Sequence, residues 1–210
     1  MSVAIRPLHA TIGAECTGVD LRRKLAPDEI AAIERGMDRW AVLVFPGQDI
    51  TDREQIDFSA SFGRLETTFG GNVRKPGEHR LGKEFADVSN LDHRGELLAA
   101  NARNRMFNLG NQLWHSDASF RATPAKYSML SGRIIPEKGP NTEFADMRAA
   151  YDALDAATKA EVEDLVCHHS LMYSRGQLGF GEFTEEEKRK FAPVRQRLVR
   201  THPVTGRKSL

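Results

Sequence analysis

The chain has 210 residues, 40% of them hydrophobic and 28% charged, with a formal net charge of +1. That length suits one large domain, and 1–210 is read as a single domain. A charge this small sets up no field for nucleic acid or acidic lipid; two cysteines, Cys16 and Cys167, are too few for a disulfide scaffold and suit a reducing cytoplasm; and no apolar run approaches the roughly 18 residues of a membrane helix.

The N-terminus, MSVAIRPLHATIG, lacks an apolar signal-peptide core. Residues 26–40 predict a helix, with Pro27 in the first turn and Ile30, Ile33, Met37 and Trp40 at helical spacing. AVLVF (41–45), closed by Pro46-Gly47, predicts a buried strand. Thr51 and Glu54 stand at capping-box spacing ahead of Ile56, Phe58 and Phe62, which predicts a second helix. The glycine-rich, basic stretch 67–84 reads as a long loop, either a binding loop or lid or a solvated excursion. FADVSNL (85–91) reads as strand, and 95–112 fits helix or loop. LWHSDASF (113–120) and 125–135 read as strands, the second ended by Pro136. Residues 145–165 are helical with a break near Asp155. VCHHSLMY (166–173) reads as strand, 184–193 as a charged short helix or loop, and 196–210 as a hairpin turning at Pro203–Gly206.

His115 and Asp117 are candidates to carry chemistry. On an extended segment, residues i and i+2 share a face, with Cα atoms about 6.6 Å apart. From there an imidazole nitrogen and a carboxylate oxygen can converge on one ion. Together they are two thirds of the 2-His-1-carboxylate triad of non-haem iron(II) oxygenases. The spacing equally fits a surface pair, or a histidine merely oriented by a carboxylate. Trp114 could shield such a site from water, and Asn111 and Ser116 offer neutral polar groups beside it. Thr142, in GPNTEFADM, could donate to an anionic ligand or simply stabilise its turn.

NQLWHSDASF, AKYSML, NTEFADMRAAYDAL and LVRTHPVTGRKSL, with GAECTGVDLR and VLVFPGQDIT…FSASFGRLE near the N-terminus, follow one another in a familiar order. Together they resemble the iron(II)/2-oxoglutarate-dependent dioxygenases of the taurine and 2,4-dichlorophenoxyacetate class, nearest the phenoxyacetate-degrading branch. The resemblance implies a fold that is mainly β with flanking helices, a double-stranded β-helix or jelly roll, here truncated at its C-terminal end. It implies that His115 and Asp117 are catalytic iron ligands and that Thr142 binds the distal carboxylate of 2-oxoglutarate. Asn111 would face the primary substrate, and His202 would lie at best near the substrate pocket. Fe(2+) would be the cofactor, with 2-oxoglutarate and O2 as cosubstrates. An aryloxyacetate hydroxylated beside its ether oxygen collapses to a phenol and glyoxylate, with succinate and CO2 formed from the cosubstrate.

Two departures from the family pattern stand out. Gly139-Pro140-Asn141-Thr142 replaces the usual Gly-Gly-Asp-Thr. The family's third iron ligand, a histidine, and its 2-oxoglutarate-binding arginine lie beyond Leu210, and His168, His169 and His202 do not match that ligand's context. The 210-residue chain alone is therefore expected to be impaired.

The substrate is expected to be a small organic acid, met in part by a base among Arg74, Lys75, His79, Arg80 and Lys83. An alkanesulfonate is the other acid that fits. Two further readings stay open: a non-catalytic fragment that binds metal or acid, and a zinc hydrolase using His115, Asp117 and His202. No nucleic-acid or membrane partner is expected. Unpaired strand edges in an incomplete jelly roll would favour self-association, so a homo-oligomer is among the expectations.

Overall fold

The computed structural model describes residues 2–67, 79–139 and 141–210. Their elements, in chain order, begin with β1 (Ala4–Pro7), β2 (Ala14–Thr17), α1 (Pro27–Trp40), β3 (Leu43–Val44), α2 (Asp52–Ala60) and α3 (Arg103–Asn108). A 3-10 turn, Leu109–Gln112, follows. Then come α4 (Met147–Ala153), α5 (Ala156–Val162), β4 (Val166–His169), α6 (Leu171–Gly176), α7 (Glu185–Lys190), β5 (Val194–Arg197), β6 (Arg200–Thr201) and β7 (Lys208–Ser209).

The chain divides into two compact units, the first comprising Met1–Arg64, Met129–Leu165 and Arg197–Leu210, and the second Leu65–Ser128 and Val166–Gln196.

In the first unit, β1 pairs antiparallel with β2, Ile5 opposite Cys16, and β2 pairs parallel with β3, Ala14 opposite Leu43. Helix α1 forms where its sequence predicts. Pro27 fills the first turn, and the Glu29 carboxylate accepts the Ala26 N–H at 2.8 Å. The Arg23 guanidinium, at 2.5 Å, and then that N–H hold the buried Glu29 carboxyl down at about 2. The helix ends at Ala41, whose φ of 61° is left-handed. Gly36 lies where α1 meets β1, and a Cβ there would come within 2.5 Å of Ile5 Cδ1. Cys16, Val19, Leu21, Leu25, Ile33, Ile50 and Phe58 form the core. Each such large apolar side chain contributes about 1.5–3 kcal/mol by leaving water.

Helix α2 carries the expected capping box: Glu54 N–H donates to Thr51 Oγ1 at 3.3 Å, and Thr51 N–H donates to Glu54 Oε2 at 2.7 Å. The segment after Met129 is tied to α2 through Arg133, which donates to Asp52 at 3.1 Å and Gln55 at 3.0 Å. Asp155 accepts the Thr158 N–H at 2.8 Å and starts α5, so the long helical stretch breaks at the residue the sequence indicated. Strands β6 and β7 form the C-terminal hairpin, Arg200 opposite Ser209.

The second unit packs on aromatic rings. Phe107 and Phe180 meet edge to face at 5.5 Å, and Phe180 and Phe183 at 5.0 Å. Arg103 pairs with the buried Glu187 at 2.7 Å. Strands β4 and β5 form a two-stranded sheet.

Three strand expectations need correcting. Segment 85–91 contains only an isolated bridge, Leu91 with Leu97, and 113–120 and 125–135 are irregular. Apart from Met129, which packs against the core of the first unit, their apolar side chains find little cover: Val88 is 61% exposed and Ile134 82%. Ala118, at φ 55°, is left-handed, which a continuous strand cannot accommodate. VCHHSLMY is strand only to His169, because Ser170 then accepts the Tyr173 N–H and begins α6. Among the described residues, regular structure is more helical than the mainly β expectation, and the strands, two to four residues long, form three small sheets. Most of the loop at 67–84, Arg74 and Lys75 included, lies outside the described residues.

Candidate active site

The second unit supplies His115 and Asp117. Helix α3 runs directly into the turn Leu109–Gln112, and Leu113 leaves it in extended conformation at φ −82°, ψ 142°. Residues 114–116 stay irregular, and 117–120 form a turn in which the Arg121 N–H donates to the Ala118 carbonyl at 2.9 Å. Although no strand forms, the two side chains converge. His115 Nε2 lies 3.1 Å from Asp117 Oδ1, and His115 Nδ1 lies 2.6 Å from the Leu113 carbonyl.

A carbonyl only accepts, so Nδ1 must carry a proton. In the neutral imidazole, Nε2 then presents its lone pair to a carboxylate oxygen, and a cation must lie between two such atoms. A proton on Nε2 is one such cation. The Asp117 hydrogen bond, and after it the Leu113 carbonyl, raise the His115 pKa, against burial and the nearby Arg175 charge. His115 first, and then the Ser128 hydroxyl, lower that of Asp117. A metal ion suits the same gap, because adjacent ligands at about 2.1 Å from an octahedral centre lie about 3.0 Å apart. The Leu113 carbonyl is also the kind of outer partner that fixes a ligating histidine's tautomer. The donor set thus fits a divalent metal.

The other expected site residues fall as follows. Asn111, exposed in the same second unit, accepts from Arg175 Nη2 through Oδ1 at 3.2 Å. Thr142 belongs to the first unit, exposed in an irregular segment before α4. His202, also in the first unit, accepts the Val204 and Thr205 N–H groups at Nδ1, at 3.3 and 3.2 Å, while its Nε2 faces Asp38 at 3.7 Å. Both its nitrogens serve the hairpin and its neighbour. Among the described residues no three His, Cys, Asp or Glu side chains gather as a metal site. Trp114 does not shield the pair in this chain, being 70% exposed. Arg80, one of the candidate bases, is engaged with Asp87 at 2.8 Å.

Ser128 and Arg175 escaped the sequence reading. Ser128 stands in the conspicuous AKYSML stretch, but nothing in its spacing ties it to Asp117. Arg175 is a lone basic residue in MYSRG, and only folding reveals its burial.

The profile of the taurine catabolism dioxygenase TauD, TfdA family matches residues 4–210. The chain belongs to this family. Its members are iron(II)- and 2-oxoglutarate-dependent dioxygenases. The chain is 43% identical over 210 residues to the alpha-ketoglutarate-dependent 2,4-dichlorophenoxyacetate dioxygenase of Cupriavidus pinatubonensis (strain JMP 134), a match covering 100% of this chain and 73% of that protein. It is 38% identical over 217 residues to the (S)-phenoxypropionate/alpha-ketoglutarate-dioxygenase of Sphingobium herbicidovorans, covering 98% of this chain and 69% of that one. Among solved structures, AAD-2 in complex with Mn(II) and N-oxalylglycine is 58% identical, with a TM-score of 0.96 over 100% of this chain and 73% of its own. The chain is thus an oxygenase by family, and no helix among its described residues is long and apolar enough to cross a membrane.

Proposed function

We propose that the chain acts on a small aryloxy acid of the 2,4-dichlorophenoxyacetate kind, hydroxylating it beside the ether oxygen to release a phenol and glyoxylate. The support is the pair of matches to phenoxy-acid dioxygenases together with one geometric observation, His115 Nε2 and Asp117 Oδ1 held 3.1 Å apart. In this reading the small sheets are segments of a double-stranded β-helix. Ferrous iron, when bound, supplies the Lewis acidity that activates the keto acid and dioxygen. His115 and Asp117 hold it on one side. The Leu113 carbonyl keeps His115 Nδ1 protonated, so that Nε2 is the donor, and Ser128 steadies the carboxylate. Thr142 is assigned to the distal carboxylate of 2-oxoglutarate, Asn111 to the substrate and His202 to the edge of its pocket.

The test supplies Fe(II), 2-oxoglutarate and oxygen with 2,4-dichlorophenoxyacetate or taurine, and follows succinate and phenol. The expected result is phenol release coupled to succinate with the aryloxy acid alone. Turnover should rise with added Fe(II). Coupling to taurine instead would overturn the substrate assignment.

A further inference from the structure

Arg175 is only 8% exposed, yet its guanidinium has few partners. It lies over the Phe107 ring at 5.0 Å and donates to Asn111 Oδ1 at 3.2 Å, with Ser174 Oγ 3.5 Å away. Its Nε is buried with no hydrogen-bond partner among the described residues. The side chain is packed against the backbone of Gly110, where any Cβ would collide with the guanidinium. This is a fixed cation without a carboxylate partner among the described residues, and a buried charge of that kind is costly unless something offsets it.

The consequence falls on Asn111. Arginine has five donors and no acceptor, so the Asn111 atom facing it must be the amide oxygen. The amide nitrogen, with two donors, is then turned the other way. We infer that Arg175 is a positioning residue: it locks the Asn111 amide so that Nδ2 presents donors to an oxygen of an anionic substrate, and it adds a fixed positive charge behind that contact. The inference deepens the aryloxy-acid reading and rests on it for the substrate. In this reading a substrate held at Asn111 sits on the segment that carries the metal pair, four residues from His115.

The test measures binding of 2,4-dichlorophenoxyacetate and its uncharged methyl ester to the full chain loaded with Mn(II) and N-oxalylglycine. Arg175→Met should weaken the acid about tenfold, the scale of a hydrogen bond to a charged group, and the ester less than about twofold. Asn111→Ala should do the same, and the double variant should lose little more, because both act through one contact. Additive losses, or equal losses for acid and ester, overturn the inference. Should Arg175→Met fail to fold, Arg175→Lys keeps the charge but not the fork that reaches Asn111, and a smaller acid-selective loss is expected. If the wild-type chain takes up Mn(II) but neither acid nor ester, the substrate reading fails. The positioning role is then judged by the Asn111 side-chain amide in NMR: rigid in the wild type and mobile in Arg175→Lys supports it, mobile in both overturns it.

Discussion

The core around α1 and the segment around His115 follow opposite rules. In the first, Ile30, Ile33 and Leu25 interlock with the small sheet, and Ile33 is 2% exposed. In the second, an imidazole and a carboxylate converge from irregular backbone, flanked by an exposed tryptophan. Periodic apolar burial builds the first region. Two local hydrogen bonds, Leu113 to His115 and His115 to Asp117, organise the second. Stability and chemistry are thus held by different residues and separate under mutation.

The largest effect on stability is expected from Ile33→Ala, which opens a cavity in the core. Urea unfolding should register a loss of about 2–5 kcal/mol, and a loss below about 1 kcal/mol would place the core elsewhere. Next comes Glu187→Gln in the second unit. Burial works against the Glu187 carboxylate, but the Arg103 guanidinium and the Thr184 N–H hold its pKa below the ordinary value. A depressed folded pKa gives stability that is complete above the unfolded value, about 4.3, and is lost as pH falls through the folded one. The variant should lose about 1–3 kcal/mol at neutral pH and show a flatter acid limb in pH-dependent melting. Thr51→Ala removes the α2 cap and should cost about 1 kcal/mol. Trp114→Ala, on the other side of the contrast, should change stability by no more than about 0.5 kcal/mol. A large loss there would mean that the site segment shares the core's packing.

The same contrast explains what could be read in advance. Helix α1, the α2 cap, the break at Asp155 and the C-terminal hairpin were legible, because Pro27, the Thr51–Glu54 pair, Asp155 and the Pro203–Gly206 turn act locally. The strands expected at 85–91, 113–120 and 125–135 were not, since an apolar run becomes a strand only when a partner and a core face receive it. Ala118 shows the limit in one residue: nothing about alanine announces a left-handed φ. The His115–Asp117 pair was legible as a motif, and its convergence survives the loss of the strand that first suggested it. Arg175 was invisible because its meaning lies in burial and in Phe107, 68 positions earlier.

The most direct test is Mn(II) binding to the wild-type chain and to His115→Ala and Asp117→Ala, followed by titration calorimetry or by loss of the free-ion resonance signal. One ion per wild-type chain, weakened on the order of 100-fold or more by either substitution while the unfolding midpoint stays in place, is the predicted result. Variants that bind Mn(II) as the wild type does would contradict the assignment of this pair as the metal-holding side of the site.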